Sequence, residues 1–160
     1  MKEFKIHKKI TISDVQNIIS DNLKISLSEE ARATIGQGRR YLDKRLSKGK
    51  EAIYGINTGF GALHTMRISD SEIEIIQENL LQSHACGMGD EVPPPLVKLM
   101  LLLKTQGLSY GKSGITLETV ERLIMFFNCD VIPVVYQQGS LGASGDLAPL
   151  AHLSLPLIGM

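Results

Sequence analysis

The residues with most chemical potential lie near the end of the chain, in Gly139-Ser140-Leu141-Gly142-Ala143-Ser144-Gly145-Asp146-Leu147-Ala148-Pro149-Leu150-Ala151-His152. Ala143, Ser144 and Gly145 stand where an extended segment, Val131 to Tyr136, has ended and an apolar, helix-like run begins. A serine in that place commonly caps the helix. Gly145 opens a second possibility: without a Cβ, its backbone can kink tightly enough to bring its amide nitrogen onto the carbonyl carbon of Ala143. Ring closure followed by loss of the Ser144 hydroxyl expels two waters and leaves an imidazolone carrying an exocyclic methylidene. Such a ring is an electrophile, which ordinary side chains do not supply and which enzymes usually take from a cofactor. A helix beginning near Asp146 would direct its free N–H groups and positive dipole end at the charge that develops when an amine adds to that ring. A hydrolase nucleophile fits less well, since Gly142-Ala143-Ser144-Gly145 departs from G-x-S-x-G and no triad is evident.

Two other stretches stand out. Tyr54-Gly55-Ile56-Asn57-Thr58-Gly59-Phe60-Gly61 has three glycines and no helical period, so it reads as a loop of unusual backbone geometry. Gly59-Phe60-Gly61 lacks the third glycine of a dinucleotide fingerprint, His64 standing in its place, and no βαβ pattern surrounds it. Ser83-His84-Ala85-Cys86-Gly87 follows a helical pattern. Taken singly, Tyr54 is an aromatic that packs before a loop, and His84 is a satisfied buried histidine. Gly111-Lys112-Ser113 echoes a P-loop ending, but Gln106 occupies the position of its first glycine and a helix precedes it, which leaves a turn.

Together these three blocks resemble the aromatic amino acid lyases, in that family's order along the chain, from about Ile25 to the end. The resemblance implies a methylidene-imidazolone (MIO) built from Ala143-Ser144-Gly145, with no external cofactor and no metal. It implies Tyr54 and His84 as catalytic residues and Gly61, Ser83 and His84 as substrate-binding ones. Asn57 and Asp146 stand behind them, Asp146 aiding dehydration during ring closure; His7, His64 and His152 have no comparable case, His152 at most standing behind the MIO helix. Ser83-His84 matches the members that act on histidine, where relatives selective for phenylalanine carry Phe-Leu and those for tyrosine His-Leu. The implied reaction is the non-oxidative deamination of L-histidine to trans-urocanate and ammonia, in a homotetramer whose sites mix chains. A lyase or aminomutase for phenylalanine or tyrosine is the alternative within the family. A non-catalytic helical remnant acting by assembly is the alternative outside it. Family members are much longer, so residues 1–160 are expected to form the N-terminal region of such an enzyme, a single partial domain inactive alone and lacking the central helical bundle.

The elements that must position these residues are mostly helices, and the fold class expected is mainly α with glycine-rich loops. Ser13 with Gln16 suggests a capping box for a short helix through Ile19. A second helix starts near Ser28, with Ala31, Ile35, Leu42 and Leu46 as its apolar stripe, costly glycines at 36 and 38, and an end at Gly49. Ser69 and Glu72 suggest a third start, running toward His84 and stopped by Gly87 and Gly89. Pro93-Pro94-Pro95 resets the chain into a buried helix ending at Gly107. Thr116 caps the next, closed near Asn128. Val131 to Val135 is extended, with Pro133 against an interior strand; the last helix tolerates Pro149 and kinks or ends at Pro156.

Composition narrows the class. The 160 residues are 43% hydrophobic, enough for one core, and the zero net charge offers no footprint for nucleic acid or an anionic membrane. The longest apolar run, Leu99 to Leu103, is too short to span a bilayer and the start has no signal-peptide pattern, so a cytoplasmic protein is expected. Cys86 and Cys129 have no Cys or His at metal-ligand spacing, so both read as reduced, with Cys86 a buried thiol or, in its glycine-rich stretch, a reactive one.

Overall fold

The computed structural model describes residues 2–7, 9–48, 52–59, 66, 68–69, 72–142 and 145–160. Helices dominate: α1 (Ile12–Ser20), α2 (Glu29–Lys48), α3 (Ile73–His84), α4 (Pro94–Ser109), α5 (Leu117–Asn128) and α6 (Leu147–Ser154), the last continuing into a 3-10 turn, Leu155–Ile158. Four short strands join them: β1 (Glu3–Ile6), β2 (Lys24–Leu27), β3 (Met88–Glu91) and β4 (Tyr136–Gln138).

The core forms where α4 crosses α5. Val97, Leu101 and Leu102 of α4 meet Val120, Leu123 and Phe127 of α5, all nearly or fully removed from water. Each such side chain contributes about 1.5–3 kcal/mol of hydrophobic transfer free energy. α2 lays Ala31 and Ile35 against this pair, while Leu42 and Leu46 of its stripe are only half-buried. Ser28 fulfils its expected role, its Oγ accepting from Ala31 N–H at 3.2 Å. The expected stop at Gly49 lies outside the described residues.

The strands are the largest departure from the sequence reading. β1 and β2 pair in parallel, Ile6 opposite Leu27, with α1 as the crossover. Four-residue strands carry too little alternation to stand out from a loop. Their exposed flank is closed by a side chain, since Asn128 at the end of α5 accepts Ile25 N–H through Oδ1 and donates from Nδ2 to Ile25 O, both at 2.8 Å. Asn128→Ala leaves both backbone groups of Ile25 without this partner, so a loss of about 1–3 kcal/mol is expected in urea unfolding of the chain. Asn128→Asp, which keeps only the acceptor, should fall between.

Three helix boundaries also differ. α1 starts two residues before Ser13 is reached as a cap: Thr11 is the N-cap, its Oγ1 accepting from Asp14 N–H at 3.1 Å while Thr11 N–H donates to Asp14 at 2.8 Å. The shorter Asp14 completes the box that Gln16 was expected to complete. α3 has Glu72 at its N-cap rather than Ser69; the Ser69 hydroxyl donates to the Glu72 carboxylate instead of capping. α4 passes through Gly107 and ends at Ser109, because Leu108 and Ser109 are buried and one glycine costs only about 1 kcal/mol. α5 is as expected, with Thr116 Oγ1 accepting from Thr119 N–H.

Candidate active site

α6 is the element on which the site is built. It starts at Leu147, two residues after Gly145, and packs against α3, β4 and the closing 3-10 turn. Its N-cap is Asp146, two positions beyond Ser144, held at φ 55°, ψ 47° with no side-chain capping bond. The capping position is therefore taken by another residue. Pro149 is accommodated in the first turn, where its missing N–H costs nothing, and Pro156 falls in the 3-10 turn that ends the helix.

Ala143 and Ser144 lie outside the described residues, as does Gly61. Their flanks are described. Gly145 N–H donates to Gly142 O at 3.1 Å, and Gly145 holds φ +91°, where a side chain would be strained. A Cβ built there would meet nothing within 4 Å, so the space beside the turn is open. Gly145 and Asp146 border a cleft of about 410 Å³ walled by Met100, Val135, Tyr136 and Leu150.

Opposite them across Leu150 is the cleft of His84. It holds about 240 Å³ between α3, α4 and α6, with His84, Lys104 and Ser154 as the polar residues among its described lining and Leu80, Leu147, Leu150 and Ala151 among its walls. His84 Nδ1 lies 2.8 Å from Leu80 O. A carbonyl only accepts, so Nδ1 is the donor in this contact, the tautomer in which Nε2 would be the acceptor. The Ser83 hydroxyl donates to the same carbonyl at 3.0 Å and sits 3.2 Å from His84 Nδ1. Ser83 thus faces its own helix end.

His152 joins the two regions. Its Nε2 accepts from Gly87 N–H at 2.9 Å, and its ring stands edge-on to Tyr136, centroids 5.3 Å apart. Burial holds the imidazole below the ordinary histidine range. Gly87 is required here, since a Cβ would come within 2.8 Å of His152 Nε2 and 3.0 Å of Tyr136 Cβ. β3 and β4 form the antiparallel ribbon that carries this contact, where the sequence offered only a helix stop and an extended run. Cys86, expected buried, is exposed, and so is Cys129. The cause is local: Cys86 leaves the end of α3 at the start of the ribbon, whose residues 88–91 all face solvent.

Tyr54 stands apart. It is 64% exposed and borders a cleft of about 640 Å³ with Tyr41, Tyr110, Lys112, Gly38 and Gly111. No described residue of this cleft borders those of His84 or Gly145. Its loop is organised by buried Asn57, whose Oδ1 accepts Ile53 N–H at 2.7 Å while its own carbonyl accepts Ile68 N–H at 3.0 Å. Within one chain the fold therefore brings His84 and Gly145 to neighbouring faces of α6 and leaves Tyr54 elsewhere. Two groups were missed from sequence. Lys104 showed only as one of two lysines in the apolar run of α4, and the contact of Gly87 with His152 had no local signal because 65 positions separate the pair.

Comparison with known proteins places these features in one class. The family model for aromatic amino acid lyases matches residues 10–160, and the chain belongs to that family. It is 45% identical, over 94% of its length, to a histidine ammonia-lyase of Caldanaerobacter subterraneus, of which it covers 29%. The histidine ammonia-lyase of Trypanosoma cruzi superposes with a TM-score of 0.85 at 34% identity over 99% of this chain and 30% of that one. Ergothionase of Treponema denticola superposes with a TM-score of 0.92 at 26% identity, again over 99% of this chain and 32% of the other. The chain thus spans about a third of the length of the relatives it matches. Among the described residues no helix is long and apolar enough to cross a membrane, and no three His, Cys, Asp or Glu side chains gather as metal ligands would.

Proposed function

We propose that residues 1–160 form the N-terminal region of a histidine ammonia-lyase, converting L-histidine to trans-urocanate and ammonia. The observation that carries this reading is the similarity to histidine ammonia-lyases across nearly the whole chain. An MIO formed from Ala143, Ser144 and Gly145 would supply the electrophile that activates the substrate. Because α6 starts two residues after Gly145, its dipole would favour negative charge developing on that ring, by about 0.3–1 kcal/mol when exposed and more when shielded.

His84 binds the substrate in this reading. With its Nδ1 proton committed to Leu80 O, Nε2 accepts from the N–H of a substrate imidazole. A phenyl ring has no such donor and would leave that acceptor unpaired. Tyr54 takes part in proton transfer from the exposed loop, reaching the site of a neighbouring subunit in a cytoplasmic homotetramer. Gly61 lets substrate approach the backbone, and Asn57 and Asp146 hold the loop and the turn.

The test is a substrate comparison in a chain of the relatives' full length carrying these residues. L-Histidine is expected to exceed L-phenylalanine and L-tyrosine by roughly 10⁴-fold in kcat/KM, the discrimination available to a site that pairs a polar group. Urocanate absorbance and cinnamate or coumarate absorbance report the products. Preference for phenylalanine or tyrosine would overturn the assignment.

A further inference from the structure

The segment after His84 and the helix after Gly145 are joined by one side chain–backbone bond, from Gly87 N–H to His152 Nε2. His152 is buried, and the contact has no slack: the space a Cβ would need at Gly87 is filled by the imidazole and by Tyr136. Gly139, at φ +117°, brings the end of β4 equally close, a Cβ there lying 3.0 Å from Cys86 O and from Gly87 Cα. Thus α6, the end of α3 and the β3–β4 ribbon meet at one imidazole.

We propose that His152 is a positioning residue, which as a neutral acceptor fixes the segment carrying His84 to the helix that follows Gly145 and so sets the two groups relative to each other. The inference rests on the roles proposed above for His84 and Gly145. Only the unprotonated nitrogen can accept from Gly87, and a second proton on the ring would replace the bond by two opposed N–H groups. Burial favours the neutral form in the fold. The fold therefore keeps the bond fully above the ordinary histidine pKa of about 6.5, and loses its stabilisation as pH falls through the depressed folded value. Among the described residues, the elements around it carry Tyr136 on β4, Asp90 and Glu91 on the solvent-facing strand β3, His84 at the end of α3, Cys86 beside Gly87 and Asp146 at the start of α6; Lys104 of α4 lines the cleft of His84, and the closing 3-10 turn has no ionisable side chain.

The test compares His152→Ala with His152→Gln, whose amide oxygen keeps an acceptor. In ¹⁵N-labelled chain, His152→Ala is expected to move the Gly87, His84 and Leu147 amide resonances together, Leu147 being the first residue of α6, and His152→Gln to return them toward wild type. In a chain of the relatives' length, His152→Ala is expected to lower kcat on the order of 100-fold with a smaller change in KM, as misplacement of reacting groups does, and His152→Gln to recover most of it. If His152→Ala does not fold, wild-type chain titrated from pH 8 to 5 should show Gly87 and Leu147 shifting with one midpoint below 6.5. Movement of Gly87 alone, or a glutamine variant as impaired as alanine, would reduce His152 to a packing role and overturn the proposal. Absence of histidine turnover in the wild type would overturn the function assigned above, while the resonances still decide the role of His152.

Discussion

Ser144→Ala, in a chain of the relatives' full length, is expected to lower urocanate formation from L-histidine by roughly a thousandfold or more, the scale seen when a group that a mechanism cannot do without is removed. Alanine has no hydroxyl to leave, so no methylidene can form even if Gly145 N closes onto Ala143. The competing role for a serine here, helix capping, predicts a different outcome. Loss of a cap costs about 1 kcal/mol of stability and leaves chemistry intact, and the N-cap of α6 is already Asp146. The two effects separate cleanly: intact mass should show the wild-type protein lighter than its sequence by two waters and the variant not, with near-equal melting temperatures. Undiminished turnover in the variant would remove the electrophile from the proposal.

Gly38→Ala is expected to be the most damaging single methyl in the described fold. A Cβ at Gly38 would lie 2.2 Å from Gly111 O and 3.1 Å from Gly111 C, and a Cβ at Gly111, where φ is +64°, would lie 2.5 Å from Thr34 O. Here α2 and the turn after α4 touch backbone to backbone, with no flexible side chain to yield. Forced overpacking of this kind costs about 3 kcal/mol or more. At about 2–4 °C per kcal/mol for a chain of this size, the melting temperature should fall by roughly 10 °C. Gly107→Ala is the control, since a Cβ there meets nothing within 4 Å and alanine gains about 1 kcal/mol in a helix interior. It should melt at or above wild type. Because Gly38 and Gly111 border the cleft of Tyr54, a Gly38 variant that melted normally would also question how that loop is seated.

The helices were legible where local rules act without competition. Thr116 with the stripe from Leu117 to Phe127, and Ser28 before Glu29 and Glu30, marked real starts because caps and amphipathic spacing are properties of neighbouring residues. They failed where two local patterns overlapped, as with Thr11 and Ser13, or where burial overrode a breaker, as at Gly107. The glycines at 36 and 38 read as a penalty in α2. At Gly38 the penalty is offset by the close approach of Gly111, which no local rule contains.

Residues 139–152 and 54–61 by themselves determined the chemistry to look for, since ring closure depends on three adjacent residue types and loop geometry on glycine content. Only the tertiary structure decided that the His84 and Gly145 regions flank one helix, that Gly87 must be glycine, that Cys86 is exposed, and that Tyr54 lies on a separate cleft. The physical reason is sequence separation. A bond such as that of Gly87 with His152, or of Asn128 with Ile25, forms between residues that share no helix turn or strand register, and it exists only once α4 and α5 have packed and brought distant segments within a few ångströms.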